Sequence, residues 1–191
     1  MKQIIITIGR QFGSGGHLLA EMIARELNLP LYDKNMIDVD FKYAEKYDEK
    51  PVNIFTSRRV KGFSNSNEEN LARRQFELIQ DLSNQGLSFV VVGRCAEYIF
   101  KDNPNALKIF IRGEIEDKIE RISRIYNVPK PEAKDLISKT DKKRKIYHNY
   151  YCDTKWGDVR NYDLCFNTSK LSLEQCKEII LNIVKEMRDC E

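Results

Sequence analysis

The residues with the clearest chemical potential are Gly9-Arg10-Gln11-Phe12-Gly13-Ser14-Gly15-Gly16-His17, set between a β-branched run and an amphipathic one. Glycines this dense at a strand-to-helix junction let backbone N–H groups converge on an anion, and the helix N-terminus adds partial positive charge. The ligand this suits is a nucleotide phosphate, held by Gly13, Ser14, Gly15, Gly16 and His17. The form departs from the Walker pattern G-x-x-x-x-G-K-[ST]. With Gly15 as its second glycine, Arg10 takes the place of the first, Gly16 that of the lysine and His17 that of the hydroxyl residue. The dinucleotide pattern G-x-G-x-x-G fails at Leu18.

Other charged residues fall where a phosphate-handling site would use them. Arg94 follows the apolar run Phe89–Val92 after Gly93. Ligands of open α/β sheets bind at such strand ends, and a guanidinium there can grip a phosphate with two hydrogen bonds or settle into an ion pair. Lys139 to Lys145 gathers five basic residues around Asp141, as a solvated helix face or as a phosphate-gripping segment. Arg58, Arg59, Arg73 and Arg74 lie in or beside a polar stretch and are further basic groups to choose among. Asp33, at the end of a short strand, suits the water shell of Mg²⁺ or the cap of the next helix. His17 and His148 have no metal-ligand partners at useful spacing and read as structural or exposed.

The elements that must position these residues follow from apolar periodicity. Ile4 to Ile8, Leu29 to Tyr32, Phe89 to Val92, Leu107 to Ile111 and Leu164 to Phe166 are short apolar runs of the kind buried on both faces of a parallel sheet. Helical spacing predicts helices over 18–27, 34–47, 66–84, 114–126, about 131–151 and from 172 onward. Ser66–Glu69 and Ser172–Gln175 have the form of capping boxes, and Pro131 suits a helix start. Residues 48–67 read as a loop or insertion. Strands alternating with helices predict an α/β fold with helices on both faces of a parallel sheet.

Three segments, in order along nearly the whole chain, resemble the cytidylate kinase-like family, a divergent bacterial branch of the CMP kinases. The first is Ile8 to Gly16 with Leu29-Pro30-Leu31-Tyr32-Asp33-Lys34; the second is Val90 to Ala96 with Ala106 to Ile111; the third is Asp141-Lys142-Lys143-Arg144 with Asn161 to Thr168. The resemblance implies a P-loop fold with a five-stranded parallel sheet, a core of 1–47, 86–128 and 161–191, a nucleoside-monophosphate-binding insertion at about 48–85 and a lid at about 129–160. It implies transfer of the ATP γ-phosphate to a nucleoside monophosphate, with Mg²⁺. Arg144, Asp141 and Arg10 would serve the transfer, Arg144 reaching the phosphoryl group and Asp141 orienting acceptor or lid. Arg94, Asp33 and Arg59 would meet the acceptor. Cys95 stands where CMP kinases carry aspartate.

Two other readings stay open at this stage. The missing lysine is compatible with a non-catalytic, nucleotide-binding regulatory protein on the same fold. Gly9, Gly13 and Gly15 also satisfy G-x-x-x-G-x-G, the NAD(P)-binding turn of short-chain dehydrogenases. Its Tyr-x-x-x-Lys partner would be Tyr126…Lys130, interrupted by Pro129, or Tyr151…Lys155 in a polar stretch.

Bulk properties agree with one soluble domain. The chain has 191 residues, 41% of them hydrophobic, and a net charge of only +3, too little for a binder of nucleic-acid polymers. Five cysteines, an odd number without C-x-x-C spacing, are expected to be reduced thiols of a cytoplasmic protein. The apolar N-terminal run is too short to span a membrane.

Overall fold

A computed structural model describes residues 2–33 and 66–189. Its five strands are β1 (Ile5–Arg10), β2 (Leu31–Tyr32), β3 (Phe89–Val92), β4 (Ala106–Arg112) and β5 (Leu164–Asn167). They form one parallel sheet in the order β2-β3-β1-β4-β5. The helices are α1 (Gly16–Glu26), α2 (Ser66–Asn84), the short α3 (Ala96–Ile99), α4 (Ile115–Tyr126), α5 (Lys130–Tyr151) and α6 (Leu173–Asp189). The helix expected over 34–47 lies outside the described residues. The single-turn α3 is not marked by any apolar repeat.

Both sheet faces are covered, which explains the unbroken apolar strands. Alternate residues of a strand point to opposite faces. Ile4, Ile6 and Ile8 join Val90, Val92, Ile109 and Ile111 under α1 and α6. Ile5 joins Phe89 and Val91 under α2 and α3. The strand order differs from the dinucleotide-binding arrangement, in which β2 lies next to β1. The dehydrogenase reading therefore finds no support in the sheet.

Local signals hold where they are self-contained. Ser172 and Gln175 make a reciprocal box: the Ser172 N–H donates to Gln175 Oε1 at 2.9 Å, and the Gln175 N–H to Ser172 Oγ at 3.2 Å. Pro131 sits in the first turn of α5. On α1 Leu19 is buried and Leu18 exposed; on α4 Ile122 is buried and Ile125 exposed.

The chain leaves β1 toward β2 on one side of the sheet and leaves β3 toward β4 on the other. A crevice therefore opens at the C-terminal ends of β1 and β3, the general ligand position in such sheets.

Candidate active site

The glycine turn presents donors on one side and has its carbonyls tied on the other. Gly13 and Gly15 both take φ of 81°, a left-handed conformation that side chains resist. The Ser14 hydroxyl donates to the Gln11 carbonyl at 2.8 Å and is thereby turned into the loop. Arg121 Nη1 donates to the Gly13 carbonyl at 2.7 Å, and the Thr168 hydroxyl to that of Ser14 at 2.8 Å. The first helical bond runs from the Leu19 N–H to Gly15 at 3.0 Å. Among the described residues, the N–H groups of Gly15, Gly16 and His17 therefore have no backbone acceptor. Converging free donors at a helix N-terminus form a phosphate cradle.

Helix α5 is fastened to this turn from above. Asp141 Oδ1 accepts the Phe12 N–H at 2.7 Å, and Asp141 Oδ2 lies 3.5 Å from Lys118 Nζ. The buried Lys118 also donates to Gln11 Oε1 at 3.1 Å. Arg144 Nη1 donates to the Arg10 carbonyl at 3.0 Å, and its guanidinium lies 5.7 Å from the Phe12 ring centre. Asp141 thus orients the loop, with α5 as its carrier. Lys118 and Arg121 escape sequence reasoning because α4 alternates charges of both signs, and only the fold turns these two inward.

Beside the turn, over the crevice, lies a cavity of about 540 Å³. Arg10, Arg94 and Arg144 all line it, with the exposed Lys143 at its edge. The Arg10 side chain runs across the crevice instead of folding over the turn. A Cβ on Gly93 would collide with its guanidinium, so residue 93 must be glycine for Arg10 to lie there. Burial, reinforced by the nearby charges of Arg144 and Arg94, lowers the Arg10 pKa to about 9, against the opposing pull of Asp33 and Glu97. Burial also lowers that of Arg144. Arg94 Nη1 donates to Gln75 at 3.0 Å, its guanidinium packs 4.7 Å from the Tyr147 ring centre, and its buried Nε has no partner.

The turn carrying Arg94 is strained. Gly93, Arg94 and Cys95 have φ of 76°, 56° and 56°, three left-handed residues in succession. Non-glycine residues held this way cost on the order of 1–3 kcal/mol each and gather at functional sites. The three guanidiniums that line the cavity carry like charges and repel one another.

Of the two readings of His148 from its isolation in sequence, structural or exposed, the fold rules out the second. It is 3% exposed, lines the cavity, and pairs through Nε2 with Glu97 Oε1 at 2.6 Å. Burial pulls the imidazole pKa down, but the neighbouring Cys152 thiol and the Glu97 carboxylate outweigh it and raise the value to about 10. The folded chain keeps this proton to about pH 10, whereas an unfolded histidine releases it near 6.5. The pair's stabilisation is fully present below pH 6.5 and is lost as pH rises through about 10. His148→Gln is therefore expected to lower unfolding free energy by about 3–5 kcal/mol at pH 6.5. Urea denaturation should show that gap to wild type narrowing toward pH 10; a constant gap would contradict the pairing.

The remaining expected residues divide. Asp33, at the end of β2, faces the start of α1, with its carboxylate 3.8 Å from His17 Nε2. His17 is half-exposed and also meets Glu21 at 3.2 Å. Arg73 and Arg74 are exposed on α2, and neither lines the cavity. Arg58 and Arg59 lie outside the described residues. Among the described residues, no helix is long and apolar enough to cross a membrane.

Comparison with known proteins agrees with this geometry. The model of the cytidylate kinase-like family matches residues 5–170. A cytidylate kinase from Methanocaldococcus jannaschii is 28% identical over 189 residues, covering 97% of this chain and 99% of the relative. The crystal structure of an uncharacterized protein from Eubacterium ventriosum superposes with a TM-score of 0.79 at 38% identity, covering 96% of this chain and 99% of the other. Shikimate kinase from Bacteroides thetaiotaomicron shares the fold alone, with a TM-score of 0.56 at 14% identity over 95% of this chain and 98% of its own.

Proposed function

We propose, from the premise that this chain belongs to the cytidylate kinase-like family, that it transfers the γ-phosphate of ATP to a nucleoside monophosphate, CMP or dCMP being the preferred acceptor. One observation carries the reading. Arg10, Arg94 and Arg144 converge on a cavity that adjoins a turn of free backbone donors. Phosphoryl transfer asks a protein mainly to hold two phosphates in line and to neutralise their charge.

In this scheme the N–H groups of Gly15, Gly16 and His17, with the turn formed by Gly13 and Ser14, hold the donor's β-phosphate. Arg94 grips the acceptor phosphate from its strained turn. Arg144, on α5, lies between the two, its donor group already at the Arg10 carbonyl. Asp141 fixes the loop beneath it. Arg10 supplies the positive charge that a Walker lysine would otherwise bring, from the acceptor side. Asp33 is the carboxylate suited to Mg²⁺, since it faces the helix start and can accept from a hydrated cation; the ion would neutralise the donor phosphates. Arg59 is a further acceptor contact on this reading.

A coupled ADP-release assay with ATP·Mg²⁺ and each of CMP, dCMP, UMP, AMP and GMP tests the proposal. Turnover is expected with the cytidine nucleotides above the others. ATP binding without turnover on any acceptor would overturn it.

A further inference from the structure

Phosphate binding has no use for a carboxylate, yet Glu97 is built into the cavity wall. Its side chain and that of His148 are each 4% exposed. His148 occupies Glu97 Oε1 at 2.6 Å, and among the described residues Oε2 has no hydrogen-bond partner. Glu97 lines the cavity, and a carboxylate oxygen, which can only accept, suits a donor on whatever fills it.

The position along α5 says which part of the ligand that is. Arg144 and His148 lie on one face of the helix, one turn apart, about 6 Å along the axis, and Tyr151 follows at about 10 Å. That progression matches the separation of phosphate and base in a nucleoside monophosphate. Besides the arginines the cavity is lined by the rings of Tyr147, Tyr151, Trp156 and Tyr162. Trp156 is fixed edge-on to Phe110, with ring centres 5.7 Å apart. A flat base suits such walls.

Resting on the nucleotide-kinase reading above, we propose that Glu97, positioned by His148, selects the acceptor's base. Its free carboxylate oxygen accepts a hydrogen bond from the exocyclic amine of cytosine and repels the carbonyl that uracil presents at the same place. His148 is a positioning residue: it takes Oε1, turns Oε2 to the cavity, and as an imidazolium balances the charge that Glu97 brings into the wall. A pair that only fastened α5 to the β3–α3 turn would affect every acceptor alike.

The test is the ratio of kcat/KM for CMP over UMP in wild type and Glu97→Gln. A glutamine amide can turn either a donor or an acceptor to the base, so the ratio is expected to fall by about 10-fold or more. A parallel loss on both nucleotides with the ratio unmoved would overturn the inference. Should Glu97→Gln fail to fold, the wild-type protein carries the test with the monophosphate of 2-pyrimidinone riboside, which lacks the amine. Its kcat/KM is expected about 10-fold or more below that of CMP; equal use would overturn the inference. Wild-type turnover of CMP with either negative result sinks only the role of Glu97. No turnover of any nucleoside monophosphate sinks the kinase reading, and this inference with it.

Discussion

Arg94→Ala is expected to lower kcat/KM for the acceptor by about 2–4 kcal/mol, the loss of a buried charge-assisted contact, while leaving ATP affinity within a few-fold. That is roughly a 30- to 1000-fold effect. The guanidinium is held by Gln75 at 3.0 Å and by the Tyr147 ring, and it springs from two successive left-handed residues. A chain does not keep Arg94 and Cys95 in that conformation without compensation, and a surface ion pair would need none of it. The substitution relieves charge repulsion with Arg10 and Arg144, while the backbone strain stays because alanine keeps its Cβ, so the folded protein should lose little stability. Steady-state kinetics with acceptor varied, beside thermal unfolding, separates the effects. Normal acceptor kinetics in a normally stable variant would remove Arg94 from the site.

The second large effect belongs to Arg10. Its guanidinium lies against Gly93 on the acceptor side of the crevice, flanked electrostatically by Arg144 and Arg94. Arg10→Met keeps the stem that packs against Gly16 and removes the charge. We expect kcat to fall by about 10²–10³-fold, the usual consequence of losing one group that stabilises developing charge. ATP affinity should change little, because the backbone donors of the glycine turn remain. Were Arg10 instead folded over the donor phosphates, ATP binding would weaken even without acceptor. Titration of ATP followed by the fluorescence of Trp156, the chain's single tryptophan, distinguishes the two placements.

The sequence was most readable where a signal is local. The strands are uninterrupted apolar runs because both faces of the sheet are covered. The Ser172 box and the start of α5 need only neighbouring residues. The glycine turn could be placed between β1 and α1, since strand, turn and helix are contiguous in the chain. What could not be read depends on partners distant in the chain. Glu97 and His148 are 51 positions apart and look ordinary until α5 meets α3. Phe12 and Asp141 are separated by 129 positions. Arg10 could be located but not aimed, because the direction of its long side chain depends on the space left by Gly93, in the turn after β3. Helical spacing cannot tell how wide a buried stripe is: on α4, Ile122 is buried and Ile125 exposed.

The central claim is that this site moves a phosphoryl group from ATP to a nucleoside monophosphate without a Walker lysine. The most direct measurement is transfer of label from [γ-³²P]ATP·Mg²⁺ to CMP, with products separated by chromatography. The account predicts labelled CDP formed in step with ADP, and its near-disappearance in Arg94→Ala. Label found only in inorganic phosphate, or left in ATP while CMP saturates the protein, would contradict it.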